Sequence, residues 1–429
     1  MPVIVLFIIF VIALIIAIPV SISLGISAVL PSVFDPSFTV GAKYMIRAML
    51  GGLDSFPLLA VPMFVLSGII MAKGGISRKL FDIFAYFFGK RTAGMPCAVI
   101  VTCLFYGAIS GSAPATVAAV GSMTIPILTG LGYDKTFTTA IVAVAGGLGV
   151  IIPPSIPFIM YATASGASVG DLFLAGIIPG LMIGLLLMVY AFYYCRKHGE
   201  DKERINAEVH SLREKGLFKV LKESFWAVLS PVIILGCIYS GIASPTEAAV
   251  ISVFYALIIS LFVYKSIRIK DIWGILKEAV RTFAPILFIL AASTAFSRTL
   301  TLMQVPQTVS DFIMNNFGNK IVILLIVNIL LLVVGMIMDT TPAILILTPI
   351  LLPIIQQIGV SPIQFGVIMV ANLAIGFVTP PIGVNLFVAS SLTDVPVMKI
   401  AKKAMPMIGY FLIALLLITF VPAISLAIL

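Results

Sequence analysis

The sequence predicts an all-α protein that crosses a membrane many times and is built from two related halves. Of its 429 residues, 61% are hydrophobic and 10% are charged, and the mean hydropathy is +1.21, which is far from the composition of a soluble globular domain. Several apolar runs have the length of spanning helices, and the alternation typical of a transmembrane β-barrel is absent. In addition, the segment 107–181 recurs in recognisable form at 335–408.

Helix-breaking residues are what the two copies share. Most of them recur at one spacing of 227 residues, and two pairs need one residue more. The pairs at the common spacing are Pro126 and Pro353, Gly132 and Gly359, Gly149 and Gly376, Pro153 and Pro380, Pro154 and Pro381, and Pro179 and Pro406; Gly107 with Gly335 and Pro114 with Pro342 have the longer spacing.

These repeated breakers indicate a binding site inside the membrane. Lipid cannot satisfy a free N–H or C=O group, so interrupted backbone at this depth must be buried in protein or line a wet cavity. Paired interruptions in the two halves of a membrane chain are typical of a transporter's binding site. Ordinary proline kinks are the alternative, but the whole hairpin and double-proline unit is duplicated, which favours a site.

The basic residues predict the orientation of the chain. The formal net charge of +9 does not indicate a nucleic-acid partner, because 22 of the 26 Lys and Arg residues fall on one side of the predicted spans. The groups on that side are 73–91, Lys135, 196–222, 265–281 and 399–403; Lys43, Arg47 and Lys320 fall on the other side, and Arg298 falls within a span. By the positive-inside rule the crowded side is cytoplasmic. The N-terminus is then cytoplasmic and the C-terminus lies outside.

The same charges predict that the two halves are inverted. The linker SVGDLFLAG lacks Lys and Arg, whereas its counterpart TDVPVMKIAKK carries three. The segments before the two hairpins, 73–91 and 303–320, show the opposite bias, with five basic residues against one. An inverted repeat allows alternating access, because exchanging the conformations of the halves turns an inward-facing site outward.

Apolar runs and breakers then define each element in order. The first run is too long for a signal peptide and lacks a cleavage site, so we interpret it as a retained helix. The first half has a helix at 3–30, an outer loop, a helix at 56–72, the basic amphipathic stretch ISRKLFDIFAYFFGKR, a reentrant hairpin at 95–130, a broken helix at 136–166 and a helix at 172–195. The second half has helices at 224–243, 246–265 and 284–303, a basic amphipathic stretch between the last two, a reentrant hairpin at 321–358, a broken helix at 363–392 and a final helix at 405–428.

The soluble stretch 196–222 mixes both charges at helical spacing. It is predicted to be a cytoplasmic linker between the halves, with a regulatory site as the alternative.

The residues expected to bind ligands lie at the hairpin tips and at the helix breaks. The tips read SGSAPAT at 110–116 and MDTTPA at 338–343, and the breaks read GLGVIIPPS and AIGFVTPPIGVN. Tandem prolines leave preceding carbonyls unpaired, and glycine lets the backbone leave the helical region. Such carbonyls, together with Ser and Thr hydroxyls, suit a small hard cation such as sodium, while no carboxylate cage for a divalent metal is visible. The helix beyond each double proline directs its positive end into the same space and attracts an anion.

Isolated polar residues in apolar sequence are further candidates. Arg298 is suited to pair with a substrate carboxylate, although it lies about five residues from the outer end of its span and snorkelling to the interface is the alternative. Asn385 either binds solute or fixes the break. Four acidic residues near span ends are expected chiefly to cap helices or pair with basic residues: Asp54, Glu247, Asp339 and Asp394. The four cysteines show no metal-type spacing.

Together with the hairpins and breaks, the strings GLDSFPLLAVPMFVLSG (52–68) and SGIASPTEAAV (240–250) carry a family resemblance. The chain resembles, over essentially its whole length, the large membrane subunit of a tripartite ATP-independent periplasmic (TRAP) transporter. The resemblance implies an elevator-type carrier of the ion transporter superfamily that takes an acidic solute across the bacterial cytoplasmic membrane with inward sodium flow. It also implies two partners, a small four-helix membrane subunit and a periplasmic solute-binding protein.

By the motif match, the resemblance implies two sodium sites, one from 110–113 with 147–153 and one from 339–342 with 376–380. The sodium candidates are Ser110, Gly111, Ser112, Ala113, Gly147, Val150, Pro153, Asp339, Thr340, Thr341, Gly376 and Thr379. The solute candidates are Arg298, Ser112, Thr116, Ser155, Thr340 and Asn385. The frame AFSRTLT around Arg298 resembles the sialic acid members of the family, so a sugar acid of the N-acetylneuraminate type is the leading solute and a C4-dicarboxylate the alternative.

The resemblance also divides the chain into parts. Scaffold helices with their arms are expected at 1–91 and 223–320, a transport unit at 92–195 and 321–429, and the linker at 196–222; the transport unit is expected to move as one body against the scaffold. An enzyme is disfavoured, because both histidines lie in the linker and no P-loop or HExxH motif occurs. No cofactor is expected besides the coupling sodium ions. The competing interpretations are a passive channel, an ATPase-driven component and a stand-alone carrier.

Overall fold

The computed structural model describes residues 2–16, 18–31 and 42–429, and within these ranges the chain is helical and contains no β-strand. Counting only these described residues, nine helices are long and apolar enough to cross a membrane. The chain is therefore an all-α, multi-pass membrane protein, and the predicted fold class is confirmed.

The first half begins with α1 (Pro2–Ile15), α2 (Val20–Val29), α3 (Ala42–Leu53) and, after a 3-10 turn at Phe56–Leu59, α4 (Ala60–Lys73). The amphipathic α5 (Ile76–Phe88) leads into a hairpin of α6 (Gly94–Ser110) and α7 (Ala113–Gly130). The first broken helix consists of α8 (Lys135–Gly146), a 3-10 turn at Gly147–Val150 and α9 (Ile156–Ser165). The long α10 (Val169–His198) completes the half.

The linker contains α11 (Lys202–Glu214). The second half continues with α12 (Leu217–Tyr239), α13 (Pro245–Ile258) and its π turn at Ile259–Val263, α14 (Ile272–Leu302) and α15 (Val305–Asn316). The second hairpin is formed by α16 (Lys320–Ile337) and α17 (Thr340–Gln357), and the second broken helix by α18 (Pro362–Gly376) and α19 (Val384–Thr393). The last helices are α20 (Val397–Phe420) and α21 (Pro422–Leu426).

The N-terminal region differs from its prediction. The single helix predicted at 3–30 is wrong, because Pro19, which lacks an N–H, stands at the start of α2 and separates it from α1. The predicted outer loop contains α3 in its described part, while residues 32–41 lie outside the described residues. This helix buries Met45 and exposes Lys43 and Arg47. Because one of its faces is polar, its sequence was interpreted as a loop.

The scaffold of the second half also differs from its prediction. The basic stretch before residue 284 is the beginning of α14 rather than a separate element, and Pro285 lies inside this continuous helix. Ile275 and Ala279 are buried at helical spacing on one side of the stretch, so packing extends the helix past the proline. Beyond α14, the predicted connection to the second hairpin contains α15.

The linker is anchored to the first hairpin. The Glu200 carboxylate, whose side chain is only 1% exposed, accepts hydrogen bonds from the Tyr133 hydroxyl at 2.6 Å and from the Ala93 N–H at 3.0 Å. Burial and this carboxylate both raise the pKa of Tyr133 above its usual value. The beginning of the linker is thus joined to both ends of the α6–α7 hairpin.

The hairpins and broken helices of the two halves pack in an exchanged pattern. The second arm of each hairpin lies against the second part of the other half's broken helix, so that α7 contacts α19 and α17 contacts α9. The first arms, α6 and α16, contact the first part of their own broken helix, α8 and α18. Helix α14 packs against α17 and also contacts α2, α3 and α4. Both tips and both breaks are therefore built into one bundle, with α14 along its side.

Candidate functional site

Both helices that carry a double proline are interrupted, as predicted. The first is broken between Val150 and Ile156, and the second between Gly376 and Val384. In each, the peptide bond between the two prolines is cis. The chain therefore presents non-helical backbone at corresponding places in its two halves.

The first hairpin tip is a compact hydroxyl cluster. Helix α6 ends at Ser110 and is followed by Gly111, whose φ of +59° favours glycine, and α7 begins after Ser112. The hydroxyls of Ser110 and Thr116 are 2.9 Å apart, and the Thr116 hydroxyl donates to the Ser112 carbonyl at 2.8 Å. The tip is joined to the first break, because the Ile156 N–H donates to the Gly111 carbonyl at 3.2 Å.

Close glycine contacts hold each hairpin against its own break. A Cβ built on Gly107 would lie 2.7 Å from the Cα of Gly149, so the backbones of α6 and the first break touch. In the second half, a Cβ on Gly376 would lie 2.6 Å from the Cα of Gly335 in α16. In the sequence repeat, Gly107 corresponds to Gly335 and Gly149 to Gly376, so the same contact occurs in both halves. The repeat of glycines thus has a physical cause, since any side chain at these positions would separate hairpin and break.

The second hairpin tip is acidic. Asp339 precedes α17 and accepts a hydrogen bond from the Thr340 N–H at 2.6 Å, as a helix-capping residue does. Its side chain is nevertheless exposed, and no ion pair to it is present in the described part of the chain. The Ile382 N–H donates to the Met336 carbonyl at 3.2 Å, which joins this tip to the second break.

The carbonyls at the breaks are more fully bonded than predicted. In the second break, the Gly376 carbonyl accepts from the Thr379 N–H at 3.2 Å and the Phe377 carbonyl from the Asn385 N–H at 3.0 Å. In the first, the Val150 carbonyl accepts from the Ser155 hydroxyl. The expectation of unpaired carbonyls is wrong at these positions, because the turn and the following helix supply donors. A carbonyl oxygen has a second lone pair, so these oxygens still suit a cation.

The two tips meet at a small cavity of about 70 Å³, which we call the tip cavity. Its lining takes Gly111, Ser112, Pro114, Val150, Ile156 and Pro157 from the first half and Asp339, Thr340, Thr341 and Phe377 from the second, with Ile286 of α14. The structure thus brings together six of the predicted site residues: Gly111, Ser112, Val150, Asp339, Thr340 and Thr341. A pocket that combines one carboxylate, hydroxyls and backbone carbonyls suits a small cation and a polar solute.

A larger cavity of about 560 Å³ lies beside the first tip. Ser110 and Ser112 of the first tip line it together with Lys73, Arg78 and Glu278. Lys73 and Glu278 form an ion pair of 2.6 Å between α4 and α14. The first tip therefore opens toward the side of the protein that carries most of the basic residues.

The remaining predicted residues lie behind the tip cavity or away from it. Those that are buried beside the tips and breaks are Ser110, Ala113, Thr116, Gly147, Pro153, Ser155 and Gly376, and Thr379 is half-buried. Asn385 is fully buried, and its side-chain amide donates to the Ala143 carbonyl in α8 at 3.0 Å. Arg298 lines a different cavity on α14, so the structure does not bring it to the tips. Glu247 belongs to a capping box with Ser244, as expected of an acidic residue at a helix start.

Two features of the site were missed by sequence reasoning. Thr282 and Ile286 of α14 line the larger cavity, and their spacing of four residues on a polar face would have marked them as a lining face. A buried amide cluster also went unnoticed, in which the side-chain amide of Asn372 donates to the side-chain oxygen Oδ1 of Asn328 at 2.7 Å. Two asparagines in strongly apolar helices were the available signal. No group of three or more His, Cys, Asp or Glu residues suited to a metal occurs among the described residues.

Comparison with known proteins agrees with this architecture. The family model described as "Tripartite ATP-independent periplasmic transporter, DctM component" matches residues 7–424. The isethionate TRAP transporter permease protein DctMQ of Oleidesulfovibrio alaskensis is 45% identical over 89% of this chain, which spans only 59% of that relative's length. The C4-dicarboxylate TRAP transporter large permease protein DctM of Pseudomonas aeruginosa is 40% identical, with 87% of this chain and 86% of the relative covered. The sialic acid TRAP transporter large permease protein SiaM of Vibrio cholerae is 36% identical, with 90% of each covered.

Solved structures show similarity of fold alone. The YdaH transporter of Alcanivorax borkumensis has a TM-score of 0.61 at 15% identity, with 88% of each chain covered. MtrF of Neisseria gonorrhoeae has a TM-score of 0.62 at 14% identity, with 88% of this chain and 84% of that chain covered.

Proposed function

Because the chain belongs to the family of large membrane subunits (DctM components) of TRAP transporters, we propose that it is the solute-carrying subunit of a sodium-coupled uptake system. Members of this family are transporter permeases and not enzymes, and they lie in the inner membrane as multi-pass proteins. The observation that carries the proposal is the tip cavity, in which polar groups from both halves meet beside interrupted backbone. Such meeting points of broken helices are where secondary transporters bind their cargo.

We assign one sodium ion to each half. The first site takes oxygens from Ser110–Ala113 and from Gly147, Val150 and Pro153. The second takes oxygens from Asp339–Thr341 and from Gly376 and Thr379. The support is geometric, since each hairpin is hydrogen-bonded at or near its tip to a residue within two positions of its own double proline, and each hairpin touches its break through a glycine pair. An ion that joins tip to break would therefore close a site whose parts already lie in contact.

The solute is an acidic molecule in this proposal. The names of the relatives include a C4-dicarboxylate, sialic acid, 2,3-diketo-L-gulonate and isethionate. These solutes share an anionic group on a small polar skeleton. We keep a sugar acid of the N-acetylneuraminate type as the leading solute, because Arg298 is a cation suited to a carboxylate. A C4-dicarboxylate and the sulfonate isethionate are the competing solutes, the latter because that relative shares 45% identity.

Two further proteins complete the system. We infer a small membrane subunit of four helices and a periplasmic protein that delivers the solute. One relative carries both the M and the Q letters in the name DctMQ and is longer than this chain, which supports a small subunit. The basic side of the chain is assigned to the cytoplasm, and the hairpins and broken helices carry their cargo across as one unit that moves along the scaffold. The larger cavity then represents an inward-open path from the first tip.

Uptake into vesicles tests the proposal. The chain is reconstituted with its small subunit, and the binding protein is added outside with N-acetylneuraminate, a C4-dicarboxylate or isethionate. An imposed inward sodium gradient without ATP should drive accumulation of one of these anions. Accumulation that needs ATP, or mere equilibration, would contradict sodium-coupled transport. Full uptake without the binding protein would identify a stand-alone carrier instead.

A further inference from the structure

The basic end of α14 exposes an apolar stripe. The Trp273 side chain is 66% exposed, and those of Leu276 and Val280 are exposed as well. These residues follow one another at spacings of three and four, so they lie on one face of the helix. Ile275 and Ala279, by contrast, are buried against other helices. The stripe therefore faces away from the described part of the chain.

Two cations lie along one edge of this stripe. Lys277 and Arg281 are one turn apart, about 40° and about 80° round the helix from Trp273. Both side chains are exposed. The Lys277 ammonium lies 5.4 Å from the centre of the Trp273 ring, which is close enough for a cation–π contact. Apolar and positively charged groups thus form one continuous surface.

Neither cation has a carboxylate partner. Lys277 and Arg281 form no ion pair among the residues that the structure describes. The Glu278 carboxylate, which is adjacent in sequence, is bound to Lys73 at 2.6 Å. The Asp271 carboxylate accepts a backbone N–H of the preceding turn at 2.9 Å. The neighbouring carboxylates are therefore engaged elsewhere, and two positive charges are left for an anion from outside the chain.

The sequence of α14 places this surface at the edge of the membrane. No charged residue occurs between Arg281 and Arg298, which are 17 residues apart. At a rise of 1.5 Å per residue they are separated by about 26 Å along the axis, which is close to the thickness of the hydrocarbon core of about 30 Å. Arg281 thus lies near one boundary of the core, and Trp273 lies towards the headgroups, where tryptophan is enriched.

We propose that Lys277 and Arg281, together with the stripe of Trp273, Leu276 and Val280, bind anionic phospholipid of the cytoplasmic leaflet. The phosphate of the headgroup pairs with the two cations, and the acyl chains cover the stripe. An amphipathic helix with basic residues beside its apolar face is suited to such a surface. A neighbouring protein helix could also cover an apolar stripe, but the unpaired cations along its edge favour an anionic partner. The proposal uses the orientation assigned above and goes beyond the transport function.

Quenching of tryptophan fluorescence tests this surface directly. The chain has only two tryptophans, Trp226 and Trp273, so Trp226→Phe leaves Trp273 as the single reporter. This variant is reconstituted in mixtures of phosphatidylcholine and phosphatidylglycerol, in which one lipid or the other carries brominated acyl chains. Bromine quenches tryptophan on close approach. Comparing the two labelled mixtures therefore measures the preference for the anionic lipid at Trp273.

The anionic lipid should be preferred about threefold or more at Trp273. High salt should weaken this preference by screening the cations. In the same background, Lys277→Gln with Arg281→Gln should lower the preference to about one, because the charges that select the headgroup are gone. The matched control is Lys43→Gln with Arg47→Gln, which removes the same residue types at the same spacing from exposed positions of α3. This control should keep the wild-type preference.

Equal quenching by both lipids in the single-tryptophan reporter would overturn the inference, as would an equal loss of preference in the control pair. The salt dependence requires no substitution at the surface, so it decides the question even if the double variant fails to fold. A preference that is insensitive to salt would also contradict the pairing with the two cations.

A small membrane subunit is the alternative occupant of this face. The reporter is therefore also reconstituted with that subunit, whose tryptophans are replaced by phenylalanine. The preference for the anionic lipid should persist. Protection of Trp273 from both brominated lipids would assign the face to the subunit and overturn the inference. These measurements need neither solute nor a sodium gradient, so their result is independent of the proposed transport.

Discussion

Replacing Gly376 by alanine changes the contact between the second hairpin and the second helix break. A Cβ on Gly376 would lie 2.6 Å from the Cα of Gly335. The carbonyl carbon of Gly335 would be nearer still, at 2.3 Å. Comfortable contacts between carbon atoms begin at about 3.5 Å, so either α16 retreats by about 1.2 Å or the break opens. The atoms in the way are backbone atoms of α16, which no side-chain rotation can remove.

The size of the effect follows from this overlap. Overpacking in a close-packed interior costs about 1–3 kcal/mol. If the cost falls on the arrangement that binds sodium, the sodium concentration for half-maximal uptake rises by about 5-fold to 150-fold. The oxygens of Asp339 and Thr340 follow α16 in the chain, so a shift of this helix moves them away from those of the break.

The assay is the sodium dependence of uptake by Gly376→Ala in reconstituted vesicles. Gly409→Ala is the matched control, because Gly409 lies in α20 of the same bundle and a Cβ there meets nothing within 4 Å. Thermal unfolding of both variants shows whether they are folded. A folded Gly376→Ala with the wild-type sodium requirement would refute the reasoning, as would an equal change in Gly409→Ala.

Further predictions concern two polar residues at the site. Asp339→Asn keeps a side chain that caps α17 but removes the charge in the tip cavity, so the half-saturating sodium concentration for uptake should rise about tenfold. The control Asp134→Asn, at the start of α8, should leave that concentration unchanged. Equal behaviour of the two variants in uptake assays would exclude a role for the Asp339 charge. Asn385→Leu leaves the buried Ala143 carbonyl without its donor, which costs about 1–3 kcal/mol. The unfolding temperature of Asn385→Leu should therefore fall well below that of Asn316→Leu, a variant at an exposed position, while its affinity for the solute stays unchanged. Weaker solute binding by folded Asn385→Leu would assign Asn385 to the solute instead.

The breaks and hairpins were predictable because their causes are local. A double proline removes two N–H groups whatever surrounds it, and the strings 149–154 and 376–381 therefore interrupt their helices in the structure as in the prediction. The matching glycines were equally visible in the sequence repeat, and their cause is the close backbone contact that excludes a side chain at Gly107 and at Gly376.

The errors concern features that depend on packing between distant segments. The continuity of α14 past Pro285 and the amphipathic α3 are set by the surfaces that these helices bury. The pairing of Phe377 with the Asn385 N–H requires the exact course of the chain after the prolines. The separation of Arg298 from the tips depends on the position of the bundle along α14, which residue spacing alone does not give.

The sodium dependence of initial uptake rates by the complete three-component system tests the central claim most directly. Potassium replaces sodium at constant ionic strength, and ATP is absent. If each half contributes one sodium site, the rate should rise sigmoidally with sodium concentration and should vanish when sodium is removed. Uptake at the full rate in potassium alone would contradict the account.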